Sequence, residues 1–403
     1  MRILSRCMVA PRVAPNDPHW WLKEAEQAYP WLRANAPMFE YEPGIKVVSR
    51  YDDIRAISRD PENFCSSKGV LVLDPIRAKL LAGDHTPDVG ARSVLFMDPP
   101  EHAQFRKLVS RAFTPRAIEG LTDDIRARTR KILADVPGAE FDFVEHIAVR
   151  LPLQVIAALL GVDDVAESKF REWSDETVKA ADGMQADFAV VNEFVGFMLG
   201  CIASHREAPR DDILGRLVAA NLDGRSLDDS ELLIFCMSLL VAGNETTRNL
   251  ISGGLTELDR NPEQRDWLVA NRDATHNAVE EMLRWVTPVK AFARTVAHDS
   301  LVGEVAVAEG DYVVMLYASA NRDERAFGPT ASEFNIRRAP DPAHLAFGFG
   351  EHLCLGATLA RIEARVMFEE LLTTFPSIRV TKEPTRLEST LMNGIIEMQV
   401  TVA

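Results

Sequence analysis

Between a turn-rich stretch at 221–228 and Pro262 runs an apolar pattern at helical spacing that ends at about Arg260. Ser226-Leu227-Asp228-Asp229 has the form of a capping box at its start. Roughly 30 residues at ~1.5 Å each make a helix ~45 Å long, the width of a whole domain. Other elements must be built around such a rod. A chain of 403 residues would otherwise suggest two or three domains, but no internal repeat, low-complexity tract or Pro/Gly/Ser linker divides this one. We therefore expect one large domain over residues 19–403, mainly α with a minor β part, after a disordered or extended lead at 1–18. The middle of the rod breaks its own pattern: Leu239-Leu240-Val241-Ala242 gives way to Gly243-Asn244-Glu245-Thr246-Thr247. Gly inside a helix costs ~1 kcal/mol relative to Ala, and a buried acid costs more unless satisfied. Local rule-breaking of this kind is expected at functional sites.

Helical spacing recurs over 19–37, 51–59, 100–134, most of 141–270 and 355–375. Ile45–Arg50 reads as a strand and 302–314 as a hairpin turning at Glu309-Gly310, while 66–97 and 321–350 read as irregular connections. Lys plus Arg number 45 against 60 Asp plus Glu, a net charge of −15. That balance argues against nucleic acid as partner. No uninterrupted apolar run approaches the ~20 residues of a membrane span, so no integral membrane association is expected. The five cysteines are scattered and odd in number, which suits a reducing cytoplasm better than a disulfide framework.

Cysteine position carries more than cysteine count. In Phe347-Gly348-Phe349-Gly350-Glu351-His352-Leu353-Cys354-Leu355-Gly356, three glycines crowd one cysteine just before a helix. Glycine permits close approach of a flat partner, and a helix N-terminus favours a thiolate. Two further patterns are commonplace in isolation: Glu281-Met282-Leu283-Arg284, whose acid and base share a helix face, and Asp98-Pro99-Pro100-Glu101-His102-Ala103-Gln104-Phe105-Arg106, with His102 and Arg106 one turn apart.

Taken together, in this order and spacing, the motifs resemble those of the cytochrome P450 family, over nearly the whole chain from about residue 20. The run AGNETTRN is most similar to bacterial members that oxidise steroids and branched isoprenoid-like lipids. The resemblance implies the P450 fold and a haem b whose iron takes Cys354 as axial ligand, with Phe347, Gly348 and Gly356 beside it. It implies His102, Arg106, Arg294 and His352 on the haem propionates. Ala242 would leave room for oxygen and substrate, and Glu245 and Thr246 would be the acid–alcohol pair that loosens the helix and relays protons. Glu281 and Arg284 would form a buried scaffold network completed by Arg338 or Arg337. Leu71, Leu73, Val289, Ala291, Phe292, Leu391 and Met392 would line a pocket for a lipophilic substrate.

A thiolate ligand favours O–O cleavage, so the implied activity is a monooxygenase using O2. No Gly-x-Gly-x-x-Gly follows a strand, so NAD(P)H would act indirectly through a ferredoxin and ferredoxin reductase. These would dock on Arg106, Lys107, Arg111 and Arg361 of a monomeric, cytoplasmic enzyme. The rival readings are a peroxide-driven hydroxylase, which usually lacks the acid–alcohol pair, and a haem-thiolate sensor or lipid-binding protein, which would give that pair no purpose.

Overall fold

The long apolar stretch is one helix, Asp229–Arg260, of 32 residues, in a computed structural model that describes residues 10–84, 93–110, 113–162, 165–181, 185–210, 212–222 and 224–402. Its capping box is real but lies two residues later than the sequence suggests. The Asp228 carboxylate accepts the Glu231 amide at 2.8 Å, and Glu231 accepts the Asp228 amide at 3.0 Å. Ser226 is unavailable because Arg225–Ser226 pairs with Asn221–Leu222 in a short ribbon. The Gly243–Thr247 turn does not interrupt the helix.

In chain order the helices that matter for the site are α1 (Tyr51–Arg59), α2 (Glu101–Ser110), α3 (Thr122–Ala134), α4 (Arg150–Leu159), α5 (Glu167–Ala181), α6 (Phe188–Glu207), α7 (Asp229–Arg260), α8 (Thr275–Val286) and α9 (Ala357–Thr374). The expected continuous helix over 100–134 is interrupted at Phe113 and Thr114, which are not helical. Pro115 begins a separate turn, Pro115–Glu119, with Thr114 accepting the Ala117 amide as its cap. α7 packs against α4, α5, α6, α8 and α9. Leu232, Phe235, Cys236, Leu240, Leu250, Ile251, Leu255 and Leu258 are its share of the main core, each such large side chain contributing ~1.5–3 kcal/mol by burial. At Gly254 the backbone itself is the contact: a Cβ would lie 2.8 Å from both Met282 of α8 and Phe368 of α9.

The β part is a five-stranded sheet of β1 (Met38–Glu42), β2 (Ile45–Val48), β3 (Phe64–Cys65), β4 (Ala291–Val296) and β5 (Tyr312–Leu316), ordered β1-β2-β5-β4-β3. β5 runs parallel to β2 and antiparallel to β4. The hairpin expected over 302–314 is displaced. Ser300–Val302 pairs with Val305–Val307 around Gly303-Glu304, and the Glu309-Gly310 turn leads instead into β5. Every residue of β5 is buried, so its partners are the long-range central strands.

Residues 1–9 of the expected lead lie outside the described residues. In the rest of it Val13 and Ala14 are buried, and the Trp20 indole donates to the Arg12 carbonyl at 2.8 Å. α6 corrects another expectation, since its 20 residues are apolar enough by length and composition to cross a membrane. Glu193 interrupts the run and so hid it. In the fold Val191, Phe194, Met198 and Ile202 are buried, and Glu193 pairs with Lys169 at 2.6 Å.

Candidate active site

Cys354 stands between a short turn, Gly350–His352, and α9, whose N-cap is Gly356. Its amide donates to the Phe347 carbonyl at 2.9 Å. Gly348 and Gly350 both have positive φ, and a Cβ on Gly350 would fall 2.0 Å from the Ser58 carbonyl oxygen of α1. Only glycine therefore lets the loop lie against that helix. The thiol is accessible yet deep: burial pushes its pKa up, opposed by the Gly356 amide and by Arg106 and Arg361. An accessible thiol deep in the fold faces an internal hollow.

Four basic side chains from three segments gather beside it. His102 of α2 is 2% exposed, and its ring lies 4.1 Å from that of His352. Its Nδ1 is 3.9 Å from Glu351, and its buried Nε2 has no hydrogen-bond partner. Arg106, one turn on, donates to the Leu353 carbonyl. Arg294 of β4 is buried and donates to the Ala293 carbonyl at 2.7 Å, while His352 meets the Ser66 hydroxyl at 3.2 Å. Burial, with Arg294, His102 and Arg106, pushes His352 down to about 3. Burial and then Arg106 also lower His102. The set is unfavourable to itself and suited to a dianion. A porphyrin with two carboxylates, its iron on the thiol, fits these residues.

On α7, Ala242 is exposed and Thr246 half-exposed one turn apart, although Asn244, Glu245 and Thr247 beside them are buried. That face lines open space. The Thr246 hydroxyl donates to the Ala242 carbonyl at 2.6 Å, a bond that tends to bend helices, yet this turn stays helical where the resemblance implied a loosened one. Glu245 is 3% exposed and takes the Arg248 guanidinium at 2.5 Å. At about 100° per residue, Arg248 lies on the flank of Glu245 opposite Thr246.

The scaffold network is complete. Glu281 receives Arg284 at 2.7 Å and Arg338 at 3.1 Å. Arg284 also donates to the carbonyls of Asn321, Ala331 and Glu333, and Arg338 to those of Phe327, Thr330 and Glu333. Arg337 points elsewhere and stacks on Trp267. Sequence reasoning missed the neighbouring group. Glu280 takes Arg361 in two bonds, 2.6 and 3.0 Å, and faces His344 at 3.3 Å. Although burial opposes it, these partners hold Glu280 at about 2. The only trace in the sequence is the doublet Glu280-Glu281.

The two turns expected to line the pocket are bonded together. Val289 bridges to Met392, and the Lys290 amide donates to the Leu391 carbonyl at 2.9 Å. Val289, Phe292, Leu391 and Leu71 are half-buried and Leu73 is exposed, but Met392 is closed off by packing. Ala291 is a correction. Alternate residues of a strand face opposite sides, and Ala291 is wholly buried in the cluster containing Trp20 and Trp21, whereas Phe292 belongs to the one on the other face. Of the residues expected to meet a redox partner, Arg106 and Lys107 line a groove of about 570 Å³ with His102, Ala103, Ser110, Thr114 and Glu351. Arg361 is engaged by Glu280, and Arg111 lies outside the described residues.

An accessible thiol, a helix with this alcohol on an open face, a cationic cradle and a Glu-Arg-Arg scaffold fit a haem-thiolate oxygenase, and the chain belongs to the cytochrome P450 family, whose profile matches residues 179–402. It is a P450 monooxygenase. Its relatives include a steroid C26-monooxygenase of Mycolicibacterium smegmatis, 37% identical over 89% of this chain and 84% of that one. A methyl-branched lipid omega-hydroxylase of Mycobacterium tuberculosis is 35% identical over 92% and 87%. Among solved structures, a cytochrome P450 of Mycobacterium marinum in complex with pseudoionone superposes with a TM-score of 0.85, at 35% identity over 98% and 99%.

Proposed function

We propose that this monooxygenase hydroxylates the terminal carbon of a methyl-branched alkyl chain, carried on a steroid or a branched lipid, with electrons from a ferredoxin and its reductase. The observation that carries the substrate reading is the pair of bonded turns at Val289 and Leu391. With Phe292 they offer apolar side chains, while the one cation among them, Lys290, is buried and donates to the Ser389 carbonyl at 2.5 Å. The names of the relatives agree on chemistry, since a steroid C26 and a lipid omega carbon both end branched chains. Cys65, Cys236 and Cys354 are free thiols, which suits the cytoplasm.

When bound, a haem with a thiolate ligand supplies reductive O–O cleavage and oxygen insertion into an unactivated C–H bond. Cys354 would hold its iron, and His102, Arg106, Arg294 and His352 its propionates. Ala242 keeps the face of α7 clear for substrate. The Thr246 hydroxyl can pass its proton inward and recover one, with Glu245 as the nearest buried acid on the same helix. The groove at Arg106 and Lys107 offers positive charge to an acidic donor on an otherwise negative protein.

Titration of the haem-loaded enzyme, followed by the spin-state shift, tests the substrate. A 27-carbon steroid with an intact branched side chain and a methyl-branched fatty acid are expected to shift the spectrum and give terminal alcohols. Testosterone, which has no such chain, is expected to bind at least tenfold more weakly. Products hydroxylated only on the steroid rings would refute the reading. Thr246→Ala is expected to lower product formed per NAD(P)H about tenfold or more, with substrate affinity unchanged and oxygen still consumed. Unaltered coupling in that variant would remove Thr246 from the proton path.

A further inference from the structure

Two consecutive acids on α8 serve two different parts of the molecule. Glu281 ties down the coil that carries Arg338, whereas Glu280, about 100° round the helix, faces the cysteine loop. We propose that Glu280 is a positioning residue for the cysteine ligand, acting through Arg361 and His344 on Phe347; the proposal rests on Cys354 being the haem ligand.

Each link is geometric. The Arg361 guanidinium meets Glu280 as a fork, Nε to Oε1 at 2.6 Å and Nη2 to Oε2 at 3.0 Å, the arrangement that best fixes a guanidinium plane. So held, Arg361 lies 4.5 Å from the centroid of the Phe347 ring, within reach of a cation–π contact. His344 faces the same carboxylate, at ion-pair distance but without hydrogen-bond geometry. Its Nδ1 accepts the Ala346 amide at 3.1 Å, which puts the ring proton on Nε2, 3.3 Å from Glu280. The His344 and Phe347 rings are 5.7 Å apart. Phe347 in turn accepts the Cys354 amide through its carbonyl at 2.9 Å. One carboxylate thus fixes Arg361, and faces His344, beside the residue whose backbone fixes the cysteine. It also neutralises Arg361, whose guanidinium lies against Phe347, the residue bonded to the Cys354 amide.

Two effects should separate. Removing the negative charge leaves Arg361 uncompensated near the ligand, which stabilises the reduced, more negative iron. Loosening Arg361 without removing charge frees Phe347. In the holoenzyme, Glu280→Gln is expected to favour reduction about tenfold, about 59 mV for a one-electron couple. It should also shorten several-fold the lifetime of the red-shifted thiolate band of the reduced carbon monoxide complex. Glu280→Asp is expected to restore the potential, and Arg361→Lys to keep the potential but still shorten the lifetime of the band. Wild-type potential and lifetime in Glu280→Gln would overturn the proposal, as would equal potential shifts in the Gln and Asp variants. If Glu280→Gln does not fold, Arg361→Lys decides alone, and an unchanged band lifetime refutes the clamp. A wild-type enzyme without the thiolate band would instead refute the haem-thiolate reading on which the proposal stands.

Discussion

Cys354→Ala abolishes the red-shifted Soret band of the reduced carbon monoxide complex and takes hydroxylation to background. That is the largest functional effect expected of any single substitution here, because in the proposed site the Cys354 thiolate would be the ligand that pushes electron density onto the iron. The four-base cradle does not depend on the sulfur. His102, Arg106, Arg294 and His352 are positioned by α2, β4 and the loop before Cys354, so the variant should still take up haem, weakly, and show a spectrum without thiolate character. Spectroscopy of the reduced carbon monoxide complex checks both halves. Retention of the thiolate band in Cys354→Ala would move the ligand to another residue.

Glu281→Gln unfolds the scaffold instead. The Glu281 and Arg284 side chains are 1% and 2% exposed, and Arg338 is 11% exposed. Removing the acid leaves two guanidiniums facing each other without a counter-charge, a loss of about 3–5 kcal/mol out of a total stability of about 5–15 kcal/mol. Soluble yield, haem content and the denaturation midpoint should all fall sharply. Arg337→Ala, one residue from the network, serves as the control: its stack on Trp267 costs no more than about 1 kcal/mol. Equal damage from both would mean that the network is not what stabilises this region.

What could be read from the sequence was chemistry concentrated in short runs. The Gly-rich cysteine loop, the Glu-x-x-Arg and the long apolar rod are each contiguous, so their spacing survives without coordinates. What could not be read depends on distant partners. Glu280 meets Arg361 and His344 from far along the chain, and the doublet Glu280-Glu281 is the one local mark of the group. Arg361 reads from the sequence as a docking cation. The turn at Glu309-Gly310 has the right residues for a hairpin, but β5 exchanges its neighbour for two buried strands, a choice that tertiary burial makes. Ala291 and Phe292 are adjacent in sequence and yet separated by the thickness of the sheet. Ser226 and Asp228 are both good helix caps, and only the ribbon pairing of Ser226 decides between them.

Gly254 acts as a fulcrum. It lies eight residues beyond Thr246, about 12 Å along α7, and there the backbone of α7 rests directly on Met282 and Phe368. Phe368 belongs to the helix that starts just after Cys354. The helix that carries Thr246 and the helix that follows Cys354 therefore pack here backbone against side chain, with no side chain on the glycine to act as a spacer. Any larger residue at 254 would have to push the helix of Thr246 away from the helix that follows Cys354, so the spacing of those two helices is set at a position that is not among the residues assigned to the pocket.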